Sequence, residues 1–173
     1  PAPTGNENEP FRMLVSSTES SDYVGKMAIG KITSGSVKVN QSVVITNYHD
    51  ENIKENSKVT ALYQFEGLKK VPAESATIGD IVCIAGSPNV RIGDTLCDPS
   101  RVEALPFVKI SEPSVQMTFS VNDSPFAGKE GKFVTSRHLR ERLFKEADKD
   151  LSLKVFETAT TEAFDVCGRG EMH

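Results

Sequence analysis

From Phe11 to about Asp98 no apolar pattern holds a helical period for ten residues, and this excludes most helix-containing folds for that stretch. Short alternating runs separated by turn signals take its place. Phe11, Met13 and Val15 alternate with polar neighbours, as a half-buried strand requires. The run Met27 to Ile32 is apolar on both parities apart from Lys31. Ser34-Gly35 signals a turn; Val37 and Val39, then Val43 and Ile45, resume alternation. The polar stretch Tyr48 to Ser57 reads as a long hairpin loop, after which Val59, Ala61 and Tyr63 share a face. Ile78-Gly79-Asp80 leads into a short buried strand, Ile81 to Ala85, and Ile92-Gly93-Asp94-Thr95-Leu96 ends the region. Asp22-Tyr-Val-Gly25 reads as a hairpin turn. Many short strands with regular turns predict a sandwich or closed barrel. With no Trp and 7% aromatic residues, its core must be mainly aliphatic.

The pattern changes after Leu105-Pro106 and Glu112-Pro113. Val115, Met117, Phe119 and Val121 predict a strand with one apolar face, followed by a Gly-rich loop from Asn122 to Lys132. A helix is predicted from Ser136, its N-cap, to Lys149. Leu139, Leu143, Phe144 and Ala147 supply the apolar stripe, and Glu141 stands four residues before Lys145 in the orientation that favours an ion pair. Two strands follow, one carrying Leu151, Leu153 and Val155, the other beginning at Phe164. Strand, helix, strand, strand is the first part of a split βαβ (ferredoxin-like) sandwich, with its second helix and last strand expected beyond His173. The predicted organisation is a linker over 1–9, a barrel over 10–106 and a truncated α+β domain over 107–173. The chain starts at Pro1 without Met and reads as a piece of a longer polypeptide.

Several chemistries are not supported by these residues. None of the Gly-Lys pairs, at 25–26, 30–31, 128–129 and 131–132, is followed by Ser or Thr, so no phosphate-binding loop is formed. No nucleophile elbow occurs. His49, His138 and His173 share no metal-ligand spacing. Cys83, Cys97 and Cys167 form no Cys-x-x-Cys pair, so a reducing compartment fits, and Cys83 and Cys167 read as core residues. No apolar run approaches the ~20 residues that span a bilayer. No catalytic residue, metal ligand or cofactor site is therefore expected in this stretch.

One polar stretch is informative. Lys129 to Lys145 holds six cations against Glu130 and Glu141, in a chain whose net charge is −4. Lys129, Lys132, Arg137, His138 and Arg140 are candidate phosphate contacts, since the helix N-terminus also favours anions. Phe126 and Phe133 could stack on bases or anchor the loop to the core. Arg169, between Gly168 and Gly170, is the residue of a tight turn that could face a partner. A solvated helix face with internal ion pairs is the alternative.

These residues resemble a known family. Gly30-Lys-Ile-Thr-Ser-Gly35-Ser-Val37, Ala76-Thr-Ile-Gly79-Asp80-Ile-Val82 and Ile92-Gly-Asp94-Thr-Leu96 are similar to strands of the second-domain barrel of translational GTPases. Gly168-Arg-Gly-Glu171-Met-His173 resembles the Gly-x-Gly-Glu-Leu-His motif of the third domain, as in elongation factor G, with Met172 in place of Leu. Glu112 to Phe119 and Val121 to Arg137 resemble TypA/BipA proteins in particular. The resemblance implies a translation-factor barrel followed by an elongation factor G-like third domain. It implies a parent ribosome-associated GTPase, cytoplasmic or in an organelle stroma or matrix, acting in ribosome assembly and stress adaptation. Ribosome, rRNA and the parent's own GTPase domain are the implied partners, with no membrane. GTP and Mg belong to the parent, and none of the GTPase motifs has a counterpart here. A barrel that chiefly docks other protein domains is the alternative function, and an independent β-barrel enzyme a third.

Overall fold

The computed structural model describes residues 5–172 apart from 22, 51, 109, 130 and 171. They fall into two compact units, Pro1–Val108 and Lys109–His173.

The first unit is all β. Its strands are β1 (Arg12–Ser21), β2 (Gly25–Ser34), β3 (Ser36–Lys38), β4 (Ser42–Asn47), β5 (Lys54–Lys58), β6 (Ala61–Glu66), β7 (Lys69–Pro72), β8 (Ser75–Thr77), β9 (Ile81–Ala85) and β10 (Asp94–Cys97). Eight of them form one antiparallel sheet in the order β5-β4-β10-β1-β2-β9-β6-β7, while β3 pairs with β8. The two flanks of the large sheet are joined by one continuous segment. β5 pairs with β4, the chain bends at Val59–Thr60, and β6 then pairs with β9. At the bend Val59 N–H donates to Gln41 O (2.9 Å) and Thr60 N–H to Ala85 O (2.9 Å), so the sheet closes into a barrel.

The interior matches the aliphatic expectation. Met13, Val15, Ile32, Val43, Ile45, Leu62, Val82, Ile84 and Leu96 form one buried cluster, with Phe11 its single aromatic member. The bend corrects the expected strand face. Val59 and Leu62 point inward, whereas Ala61 and Tyr63 pack outside with Ile29 and Phe65 against buried Met27, Cys83 and Ala85. The expected loop from Tyr48 to Ser57 is also corrected, because its second half is strand β5. That strand is polar (Lys-Glu-Asn-Ser-Lys) and is held by its ladder to β4 and by Ser57 Oγ donating to Gly86 O (2.7 Å), not by an apolar face.

Two Ile-Gly-Asp turns share one device. Asp80 carboxylate accepts Thr77 N–H (2.9 Å) and Asp94 carboxylate accepts Arg91 N–H (2.7 Å), each three residues back. Gly79 and Gly93 sit between at φ +92° and +91°, a backbone region that side chains disfavour. Asp94 is buried, and its other oxygen accepts from the Asn47 amide (2.8 Å).

The second unit contains β11 (Val115–Ser120), α1 (Ser136–Ala147), β12 (Lys154–Glu157) and β13 (Ala163–Gly168). Its antiparallel sheet runs β11-β13-β12, so β11 and β12 are parallel with β13 between them, the strand arrangement that a split βαβ start produces. Leu139, Leu143, Phe144 and Ala147 are half-buried on the sheet side of α1, and Phe144 meets the buried Phe164 at 6.5 Å. Details differ from the sequence reading. Thr135, not Ser136, caps the helix, because its side chain accepts the His138 N–H, and the helix ends at Ala147. The ion pair along α1 joins Arg142 to Glu146 (3.0 Å), not Glu141 to Lys145. Leu151 and Leu153 lie in a turn organised by Asp150, whose carboxylate accepts Ser152 N–H (2.8 Å), so β12 starts only at Lys154. β11 ends one residue before Val121.

Candidate nucleic-acid interface

The chain leaves β11 through a loop and re-enters regular structure at Thr135. The loop is tightened by Asn122, whose carboxamide oxygen accepts Ser124 N–H (3.0 Å), and by Ala127 N–H donating to Ser124 O (2.9 Å). Phe126 is exposed at its tip, with Lys129 Nζ 4.6 Å from the ring centre. A shallow groove of about 580 Å³ is lined there by Asn122, Phe126, Ala127, Lys129 and Val134.

The first turn of α1 has no acidic residue, while Arg137 and His138 stand exposed in it. His138 is fixed at two places. Its Nδ1 lies 2.9 Å from Thr135 Oγ1, and its ring meets Phe133 perpendicularly at 5.4 Å. Lys129, Lys132, Arg137 and Lys145 have no ion-pair partner among the described residues. Of these, Arg137 stands where the unsatisfied helix amides are also positive, whereas Lys145 stands in the last turn.

The other two predicted residues stand differently. Arg140 Nε donates to Glu157 Oε1 (2.8 Å), its Nη2 lies 2.7 Å from the same oxygen, and the guanidinium covers Phe144 at 5.1 Å. Its charge ties the helix to β12. Arg169 is exposed just after β13. Since Val115 pairs with Gly168 and Ser120 with Ala163, Arg169 lies at the end of the sheet opposite the loop, about 20 Å away along the strand. Lys129 thus lines the loop groove, Lys132 follows it in the loop, and Arg137 and His138 stand in the first turn of α1, whereas Arg140 is tied to β12 and Arg169 lies at the far end of the sheet.

The sequence places Arg142 and Lys145 in the same basic stretch, though not among the candidate contacts. With His138 they recur at helical spacing on the face opposite the apolar stripe, a signal that a helical projection of the sequence contains. Among the described residues no three of His, Cys, Asp or Glu could hold a metal, and no helix is long and apolar enough to cross a membrane.

Comparison with known proteins bears on the parent. Residues 25–97 match the family model for elongation factor Tu domain 2. Over all 173 residues the chain is 45% identical to the large ribosomal subunit assembly factor BipA of Buchnera aphidicola subsp. Baizongia pistaciae (strain Bp). It is 46% identical over the same span to that of Synechocystis sp. (strain ATCC 27184 / PCC 6803 / Kazusa) and 42% to that of Bacillus subtilis (strain 168). This chain is a homologue of one segment of BipA. It spans 28–29% of the length of those BipA relatives. A solved structure from Thermus thermophilus shares the fold of the BipA-type segment at a TM-score of 0.66 and 20% identity, over 95% of this chain and 23% of that one. The barrel followed by a small α+β unit is therefore a translation-factor arrangement.

Proposed function

We propose that this BipA-type segment is a ribosome-docking scaffold that meets ribosomal RNA through the second unit, in a cytoplasmic parent acting in large-subunit assembly and stress adaptation. GTP and Mg are handled by the parent's GTPase domain, against which the barrel packs. The observation that supports the reading is a helix whose first turn carries Arg137 and His138 and no acid, preceded by a loop carrying Lys129 and Lys132. Phosphate contacts release counterions, so such binding weakens steeply with salt. Arg140 serves only to tie α1 to β12 through Glu157, and Arg169 is a separate contact at the far end of the sheet.

The test is co-sedimentation of the chain with purified ribosomal subunits at stepped salt. Wild type is expected to pellet with subunits at low salt and to release as salt rises. Lys132→Glu with Arg137→Glu lowers the salt slope by roughly one per lost phosphate contact. Salt-independent pelleting, or no effect of the double reversal, would count against RNA docking.

A second reading rests on the barrel surface. Ile81, more than half exposed, borders a cleft of about 570 Å³ with Ile29, Phe65, Gly79 and Asp80. A protein domain seated there would bind through apolar contact and resist salt.

A further inference from the structure

Phe133, three residues before α1, is 77% exposed, whereas Phe144 within the helix packs against the sheet. The Phe133 ring does not join the core. It folds against His138 at 5.4 Å with the planes 88° apart, a contact that steadies a ring while leaving it unstacked. At 100° per residue, His138, Glu141, Arg142 and Lys145 form one stripe diametrically opposite the buried stripe of α1. Phe133 borders that stripe in a groove of about 380 Å³, shared with Leu139. Glu141 is the single acid of the groove, against Arg142, Lys145 and a histidine.

From this surface we infer that Phe133 is a stacking platform for an unpaired base of single-stranded RNA, with Arg142 and Lys145 holding the flanking phosphates; the inference rests on the RNA-docking reading above. Charge complementarity selects the occupant. An apolar protein segment entering the groove would cover Arg142 and Lys145 without neutralising them, which is costly. An RNA strand neutralises both and offers a π-face to the ring. A duplex cannot use the site, because its bases are stacked inside the helix, whereas loops and bulges splay theirs out. Arg142 shares Glu146 with Lys149, and its side chain remains 75% exposed, so its outer N–H groups stay open to a phosphate.

Fluorescence anisotropy with a labelled 12-nucleotide single strand and with its duplex tests this, using the whole chain. Wild type is expected to prefer the single strand. Phe133→Ala should weaken single-strand binding roughly 5- to 160-fold, the range for losing one base–aromatic stack. It should leave duplex affinity and the salt slope unchanged, and Phe133→Trp should restore binding. Circular dichroism of each variant verifies folding, which an exposed side chain does not endanger. Equal weakening of both RNAs by Phe133→Ala, or no weakening, overturns the stacking role. Full retention of single-strand binding by Phe133→Leu would mean that the site needs an apolar anchor rather than a π-face, and would overturn the stacking role. Absence of binding to either RNA by wild type at low salt overturns the docking reading and this inference together. Binding that responds to Lys132→Glu and Arg137→Glu but not to Phe133→Ala leaves docking standing and removes only the stacking site.

Discussion

Replacing Gly86 by Ala should open the barrel at its closing seam. Gly86 lies just after β9 at φ +117°, directly opposite the bend between β5 and β6. A Cβ there would land on Lys58 O and within 2.9 Å of Thr60 N. Both are backbone atoms of the segment that joins the two flanks of the sheet, and Gly86 O is itself bonded by Ser57 Oγ at 2.7 Å. The unfavourable backbone angle costs about 1–2 kcal/mol and overpacking against a fixed chain about 1–3 kcal/mol more. A loss of about 3–4 kcal/mol is a large part of the total of ~5–15 kcal/mol typical of a domain. With a urea slope of about 2 kcal/mol/M, the midpoint should fall by about 1.5–2 M. The control is Gly67→Ala. Gly67 sits at φ +62° with nothing within 4 Å of an added Cβ, so only the backbone cost of about 1–2 kcal/mol remains. Tyrosine fluorescence isolates the barrel, since the chain has no Trp and its three tyrosines, Tyr23, Tyr48 and Tyr63, all lie in the first unit. Equal midpoint shifts for the two variants would refute closure through the Val59–Thr60 bend.

Other outcomes follow from individual groups. Asp94→Ala removes the acceptor for Arg91 N–H and the Asn47 amide, and thermal melting should show a loss of about 2–4 kcal/mol. Asp98 is held below the usual carboxylate range, first by Ser100 and also by Gln41. A depressed folded pKa stabilises above the unfolded value of about 3.9 and is lost as pH falls through the lower folded value, so Asp98→Asn should be slightly less stable than wild type at pH 7 and should converge with it in acid, flattening the decline below about pH 4. Burial pushes the Cys83 thiol up to about 11 and raises that of the buried Cys97 as well. Mass spectrometry after iodoacetamide at pH 8 should therefore find half-buried Cys167 alkylated first and the other two protected until unfolding. Arg140→Ala should cost only about 0.2–1 kcal/mol, as an exposed ion pair does, and leave RNA affinity nearly unchanged, whereas Arg137→Ala should lower affinity and leave the melting temperature in place.

The barrel was legible where apolar alternation drives folding. Phe11, Met13 and Val15 sit inside as their spacing requires, and so do Val43 and Ile45. It was illegible where backbone closure does the holding. The polar β5 has no apolar face to announce it, and the Val59–Thr60 bend switches the inward parity without a Gly or Pro. In the second unit the helix was legible from its apolar stripe, but neighbouring Thr135 and Ser136 compete as caps, and only geometry decides that Thr135 takes the amide. The interface divides in the same way. That Lys129, Lys132, Arg137 and His138 are close along the chain is read directly from the sequence. The neutralisation of Arg140 by Glu157, seventeen residues on, depends on how α1 lies against β12, and no local pattern records it.

The most direct measurement places a hydroxyl-radical source at position 132, in a Lys132→Cys chain with Cys167 replaced by Ser, and maps the backbone cuts it makes in ribosomal RNA of purified subunits. Cys83 and Cys97 are buried and will not take the probe. A scaffold that docks through its cationic loop and helix should cut a compact set of nucleotides, and the same probe on Lys69, in the barrel hairpin strand β7, should cut a different set or none. Absence of cuts from position 132, with the chain bound to the subunits, would contradict it.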